Sequence, residues 1–249
     1  MEEVAKADAG APVAVEWGLW PGVHRQDPAT ASATRSLWMD TNGYRPGYLR
    51  ALYPRVPTLL AYLPNTDAGV TADRVVPFES LELALVEAWA GGGNYVLALE
   101  PTYRDALLRG EEKALTAWRS LGRTARWLRE HASLFRQPPL PTVTVLVDAG
   151  FVSTEVANLM YRQGVSPAFE PAVDPPSPDP LRRVVVVAAG IEAPTPDIAP
   201  RILAHASAGA IVVVDDLTEN AWWRRGGPVR VKTQEDREFY SLGKGQVVA

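Results

Sequence analysis

The sequence predicts an α/β protein with parallel sheets in both halves, and three observations carry the prediction. Short apolar, β-rich runs alternate with stretches whose apolar residues recur every three or four positions. Helical stretches of this length between strands imply right-handed crossovers rather than tight hairpins. The Val-rich run Arg183–Ala188 has the composition of a strand buried on both faces.

In chain order, Val13-Ala14-Val15-Glu16-Trp17 predicts a buried strand. Ser36–Met39 predicts a second, ending at Asp40 and the turn-forming Thr41-Asn42-Gly43. A short helix follows over Pro46–Tyr53. Residues Pro57–Leu63 form the third strand, stopped by Pro64-Asn65. Phe78, Leu81, Leu85, Ala88 and Trp89 share one helical face. Gly91-Gly92-Gly93 ends that helix; it precedes a strand and lacks the Lys-Ser/Thr of a phosphate loop. Asn94–Leu99 is the fourth strand, stopped by Glu100-Pro101. One long helix is expected over Glu111–Phe135, because Leu115, Trp118, Leu121, Ala125, Leu128, Ala132 and Phe135 step by threes and fours. Arg119, Arg123, Arg126 and Glu130 form its solvated face.

The stiff segment Gln137-Pro138-Pro139-Leu140-Pro141 marks a boundary between domains at 1–136 and 137–249. Beyond it, Thr142–Val147 is a strand and Ser153 is expected to cap a helix ending near Gly164. Pro167–Glu170 is extended, and the proline-rich stretch Pro171–Pro180 is a surface loop. After the Val-rich strand come a helix over Asp197–Ala208 and a strand over Ala210–Val214. Two adjacent tryptophans cannot both point inward from a regular strand. One of Trp222-Trp223 is therefore expected to face a partner or the barrel mouth, with an interface preferred over the core.

Composition excludes several chemistries. Among 249 residues there is no cysteine, hence no disulfide, thiolate metal site or cysteine nucleophile. With 25 basic against 29 acidic residues, the net charge of -4 gives no electrostatic case for nucleic acid or for anionic membranes. The acidic N-terminus lacks the apolar core of a signal peptide, and no apolar run approaches the ~20 residues of a membrane span. A soluble, cytoplasmic protein is expected. His24, His131 and His205 are scattered, with no carboxylate at ligand spacing, so neither metal nor cofactor is expected.

Three segments, taken in order, resemble a known architecture. They are Ala117-Trp118-Arg119-Ser120-Leu121-Gly122-Arg123, the proline break leading to Val143-Thr144-Val145-Leu146-Val147, and Ala157-Asn158-Leu159-Met160-Tyr161-Arg162-Gln163-Gly164-Val165. This order resembles the join between the TIM barrel of a β-galactosidase-type glycoside hydrolase and its class I glutamine-amidotransferase-like domain, a trimerisation module. Leu83–Asn94, Val184–Val187, Ala208–Val214 and Leu242-Gly243-Lys244-Gly245 extend the likeness over most of residues 78–248. The resemblance implies that residues 1–136 are the C-terminal part of a (β/α) barrel and that 137–249 are a flavodoxin-like domain. Four strand candidates are half of the eight a barrel needs. The exposed edges would then be covered by a homo-oligomer, by a second chain completing the barrel, or by rearrangement into an open sheet. A chain truncated at both ends relative to that architecture is expected.

Glycosidases need two carboxyl groups, one to protonate the leaving oxygen and one to act as base or nucleophile. In a barrel the site lies beyond the C-terminal strand ends, where Glu16, Asp40, Asp67 and Glu100 fall. Glu16 and Asp40 are the candidate catalytic pair. Trp17, Trp38 and Tyr44, with Glu100, are the candidate carbohydrate-binding set. Acids after strands also cap helices or pair with arginine, and Arg25, Arg35, Arg45, Arg50 and Arg55 are nearby. The turn Ala188-Ala189-Gly190-Ile191-Glu192 carries neither Cys nor Ser, which excludes amidotransferase activity. Two functions stand open: a glycosidase, or a non-catalytic carbohydrate-binding or assembly subunit.

Overall fold

The computed structural model describes residues 14–17, 21, 24–25, 38–39, 42–62, 76–92, 94–97, 99, 101–135, 142–179, 184–191 and 194–249. The chain divides into two compact units, residues 1–138 and 139–249.

The first unit contains β1 (Ala14–Trp17), β2 (His24–Arg25), β3 (Trp38–Met39), α1 (Arg45–Leu52), β4 (Thr58–Tyr62), α2 (Ser80–Ala90), β5 (Asn94–Leu97), α3 (Pro101–Leu108), α4 (Glu112–Glu130) and α5 (Ala132–Phe135). Strands β1, β4 and β5 lie side by side in that order, all parallel. Glu16 stands in register with Leu60, and Leu60 with Tyr95. The segment expected as the second strand of this sheet joins it nowhere among the described residues. Trp38–Met39 pairs antiparallel with His24–Arg25. Because β1 bonds directly to β4, no place remains between them.

Leu60 and Tyr62 pack beneath Leu81, Ala84 and Ala88 of α2 and Tyr103 and Ala106 of α3. Ala84 and Ala88 are fully buried, and their small side chains let α2 approach the strand closely. Helix α3 went unpredicted because Pro101 reads as a stop, whereas proline suits the first helical position, where no N–H is needed. The long helix differs from expectation in two ways. Its buried residues are Ala114, Ala117 and Leu128, so Trp118 is 46% and Trp127 48% exposed. It also stops at His131, whose backbone N–H and Nδ1 both lie against the Trp127 carbonyl while its ring stacks on the Trp127 indole at 4.5 Å.

The second unit contains β6 (Val143–Val147), α6 (Phe151–Arg162), β7 (Ala168–Pro171), β8 (Val185–Val187), α7 (Ile198–Ala208), β9 (Ile211–Val213), a 3-10 turn at Trp222–Gly226, β10 (Val229–Gln234), β11 (Arg237–Leu242) and β12 (Gly245–Val248). Seven strands form one sheet in the order β10-β11-β12-β9-β8-β6-β7. From β7 to β12 all neighbours are parallel, and β11 and β10 continue antiparallel. Leu146, Val186, Val212 and Val247 face α7 and the 3-10 turn, while Val145, Val147 and Val187 are buried on the other side. Burial on both faces explains the unbroken valine runs.

Two expectations need correction here. The cap of α6 is Gly150; Ser153 sits inside the first turn. The tryptophan pair is core rather than interface: Trp222 is 8% and Trp223 0% exposed. A 3-10 turn advances roughly 120° per residue, since three residues complete it. It can bury neighbours that a strand would split.

Candidate functional site

The expected site residues belong to the first unit. Glu16 and Trp17 are the last two residues of β1, and Trp38 opens β3. Asp40 and Glu100, like Asp67, lie outside the described residues. Tyr44 directly precedes α1 and is 3% exposed, with the Arg45 guanidinium 5.4 Å from its ring centroid.

Around Tyr44 the sequence folds into a buried polar cluster that sequence reasoning missed. Asn42, fully buried, donates from Nδ2 to Glu87 Oε2 of α2 at 2.9 Å. Tyr62, the last residue of β4, is also fully buried. Burial first, and then the negative charge of Glu87, push its hydroxyl well above the ordinary tyrosine range, and Arg45 opposes this in part. It therefore stays a neutral phenol at any physiological pH. Two further contacts hold α1 to the end of α2. Arg50 Nη1 donates to the Gly92 carbonyl at 2.7 Å. A Cβ at Gly91 would stand 2.8 Å from the Gly43 carbonyl oxygen, so only glycine permits this approach. The cluster thus fixes residues 42–44, which begin two positions after Asp40, against α2. Its hydrogen bonds tie Asn42 to α2 and α1 to the residues that follow α2. The available signal was Glu87 among the apolar residues of the second half of α2, together with an Asn-Gly pair that reads as a turn alone.

At the carboxyl edge of the second sheet, Asp148 follows β6 and accepts hydrogen bonds on Oδ1 from Gly150 N at 2.8 Å and Ser153 Oγ at 3.1 Å. Gly190 follows β8 with φ +79° and donates its N–H to Asp215 Oδ2 at 2.9 Å. A Cβ there would sit 2.7 Å from Val152 Cβ, so no serine or cysteine nucleophile fits at that position. His205 is buried on α7 with Nε2 2.9 Å from the Pro176 carbonyl, and burial lowers its pKa. Among the described residues, no group of three or more metal-ligating side chains comes together, and no helix is long and apolar enough to cross a membrane.

No protein-family model matches the chain, and no curated protein matches it. Among solved structures, the chain is similar to a catalytic mutant of a GH42 beta-galactosidase from G. stearothermophilus. The identity is 12%, the TM-score 0.48, and the match covers 83% of this chain. The chain spans 42% of that protein's length.

Proposed function

We propose that the protein is glycoside-hydrolase-like and acts on or binds carbohydrate. In this reading, residues 1–136 are the C-terminal part of a (β/α) barrel. Residues 137–249 are a flavodoxin-like, amidotransferase-like domain that serves oligomerisation. The observation that carries the reading is the order of the first sheet: β1, β4 and β5 are parallel, adjacent and laid down in the sequence in which they are made. A barrel is built by such steady progression, whereas a doubly wound sheet reverses. Glu16 and Asp40 are the proposed carboxyl pair, one protonating the glycosidic oxygen and the other acting as nucleophile or base. Trp17 and Trp38 would lie along the sugar, with Glu100 binding its hydroxyls. Tyr44, being buried, would back the site. The proposed partners are carbohydrate and further copies of the chain, or a second chain completing the barrel.

One observation favours the second reading, a non-catalytic carbohydrate-binding or assembly subunit. β3, which leads to Asp40, pairs with β2 and stands apart from the parallel strands. The two readings separate in one assay with a panel of nitrophenyl glycosides. Catalysis predicts nitrophenol release that falls at least ~100-fold in Glu16→Gln and in Asp40→Asn, the usual scale for losing an acid–base group. Saturable sugar binding without release supports the assembly reading. Neither release nor binding sinks both.

A further inference from the structure

The second unit carries a groove of about 440 Å³ beside α7. That volume lies within the range of small-molecule sites, roughly 300–1,000 Å³. Its walls are Pro194, Pro196, Ala199, Leu203, Ala204 and Trp222. Ser207 also lines it, but its hydroxyl is spent on the Leu203 carbonyl at 3.3 Å. The wall is held rigidly, because Trp222 Nε1 donates to the Ile191 carbonyl at 2.7 Å.

Polarity enters at one point, Arg225. The contrast with its neighbour is informative. Arg224 is fully engaged, donating to Thr218, Leu217, Tyr240 and Glu238 and lying 4.4 Å from the Trp223 ring centroid. Arg225 has no hydrogen bond or ion pair among the described residues, and it is exposed at the groove's rim. A guanidinium presents a planar fork suited to a carboxylate, and beside an apolar wall that pairing is stronger than in open water.

The lining also excludes other ligands. A sugar needs many hydrogen-bonding groups, and these walls offer almost none. A phosphate would seek the start of α7, but the Ile198 and Ala199 N–H groups both bond to the Thr195 carbonyl. Pro200 has no N–H, and Asp197 places a carboxylate there, held below its ordinary pKa chiefly by the Thr195 hydroxyl.

We infer that this groove binds a small amphipathic carboxylate, its apolar body against Leu203, Ala204 and Trp222 and its carboxylate on Arg225. The site is independent of the proposed carbohydrate site.

The test is calorimetric titration of the full chain with 4-phenylbutyrate and with the uncharged 4-phenylbutan-1-ol. NMR shifts of the Trp222 indole N–H report the location. The acid is expected to bind at least tenfold more tightly than the alcohol. Arg225→Gln, an exposed change, should erase that preference and leave alcohol binding unaltered. Ala204→Phe should fill the groove and abolish both. Equal binding of acid and alcohol, a preference that survives Arg225→Gln, or no shift at Trp222 would each overturn the assignment.

Discussion

The two units solve the same problem in opposite ways. In the first, parallel strands are added in one direction, β1 then β4 then β5. In the second, β6 is flanked by β7 on one side and β8 on the other, so the chain reverses after its first crossover. Steady addition points successive strand ends around a common centre, where several loops can converge on one substrate. Reversal instead opens a crevice between two loops that diverge, here those beginning at Asp148 and Ala188. In this chain Gly190 donates its N–H to Asp215, and Asp148 accepts from Gly150 and Ser153. A side chain at Gly190 would collide with Val152.

The largest effect that would test this contrast is at Gly245, where β12 enters the second sheet. A Cβ there would collide with the Ala210 and Ala206 carbonyl oxygens, both backbone. Gly245→Val should cost more than about 3 kcal/mol, beyond the usual range for overpacking, because backbone cannot swing aside. Chemical denaturation of the variant measures this, and a loss below that figure would mean that β12 is held loosely.

Next is the different use of tryptophan. Trp223→Ala should cost about 3–5 kcal/mol, the scale for a large buried aromatic, whereas Trp118→Ala should stay within about 0.5 kcal/mol as an exposed change. Comparable losses from the two would erase the distinction between a core aromatic and a surface one.

A smaller effect is expected from the anchor in the first unit. Asn42→Ala leaves the Glu87 carboxylate without its amide donor and should cost about 1–3 kcal/mol. The smallest is a pH effect. Burial disfavours the charged form of His205, so its folded pKa lies below the unfolded value. The unfolded chain then binds more protons near that value. This contribution to stability is complete above about pH 6.5 and is lost as pH falls from there through the lowered folded value. His205→Gln should flatten the stability profile across that window, and an unchanged slope would mean that the imidazole is not protected from protonation.

The sequence makes some of this visible and hides the rest for identifiable reasons. Helix α2 announces itself because its buried positions follow one stripe and glycines follow its end. Strand β4 is equally plain, because Leu59, Leu60 and Ala61 form an unbroken apolar run. The hairpin of β10 and β11 is invisible to hydrophobic pattern because all six residues of β10 are exposed. The inward face of α4 was misjudged because tryptophans outweigh alanines in any apolar pattern, yet Ala114 and Ala117 are what the packing admits. Strand order is hidden more deeply: no periodicity distinguishes a neighbour added on the left from one added on the right. The Asn42–Glu87 pair, 45 residues apart, becomes a cluster only after the fold has formed.

The place of β12 also sets a timetable for synthesis. It is made after β10 and β11, yet it lies between β11 and β9. A ribosome delivering this chain therefore releases β9 with one edge open, then a hairpin that adjoins no other strand of the sheet. Only when Val248 has emerged can the two be joined. Until then, the ladder that will receive β12, from Ile211 to Val213, is exposed to any extended strand that comes near.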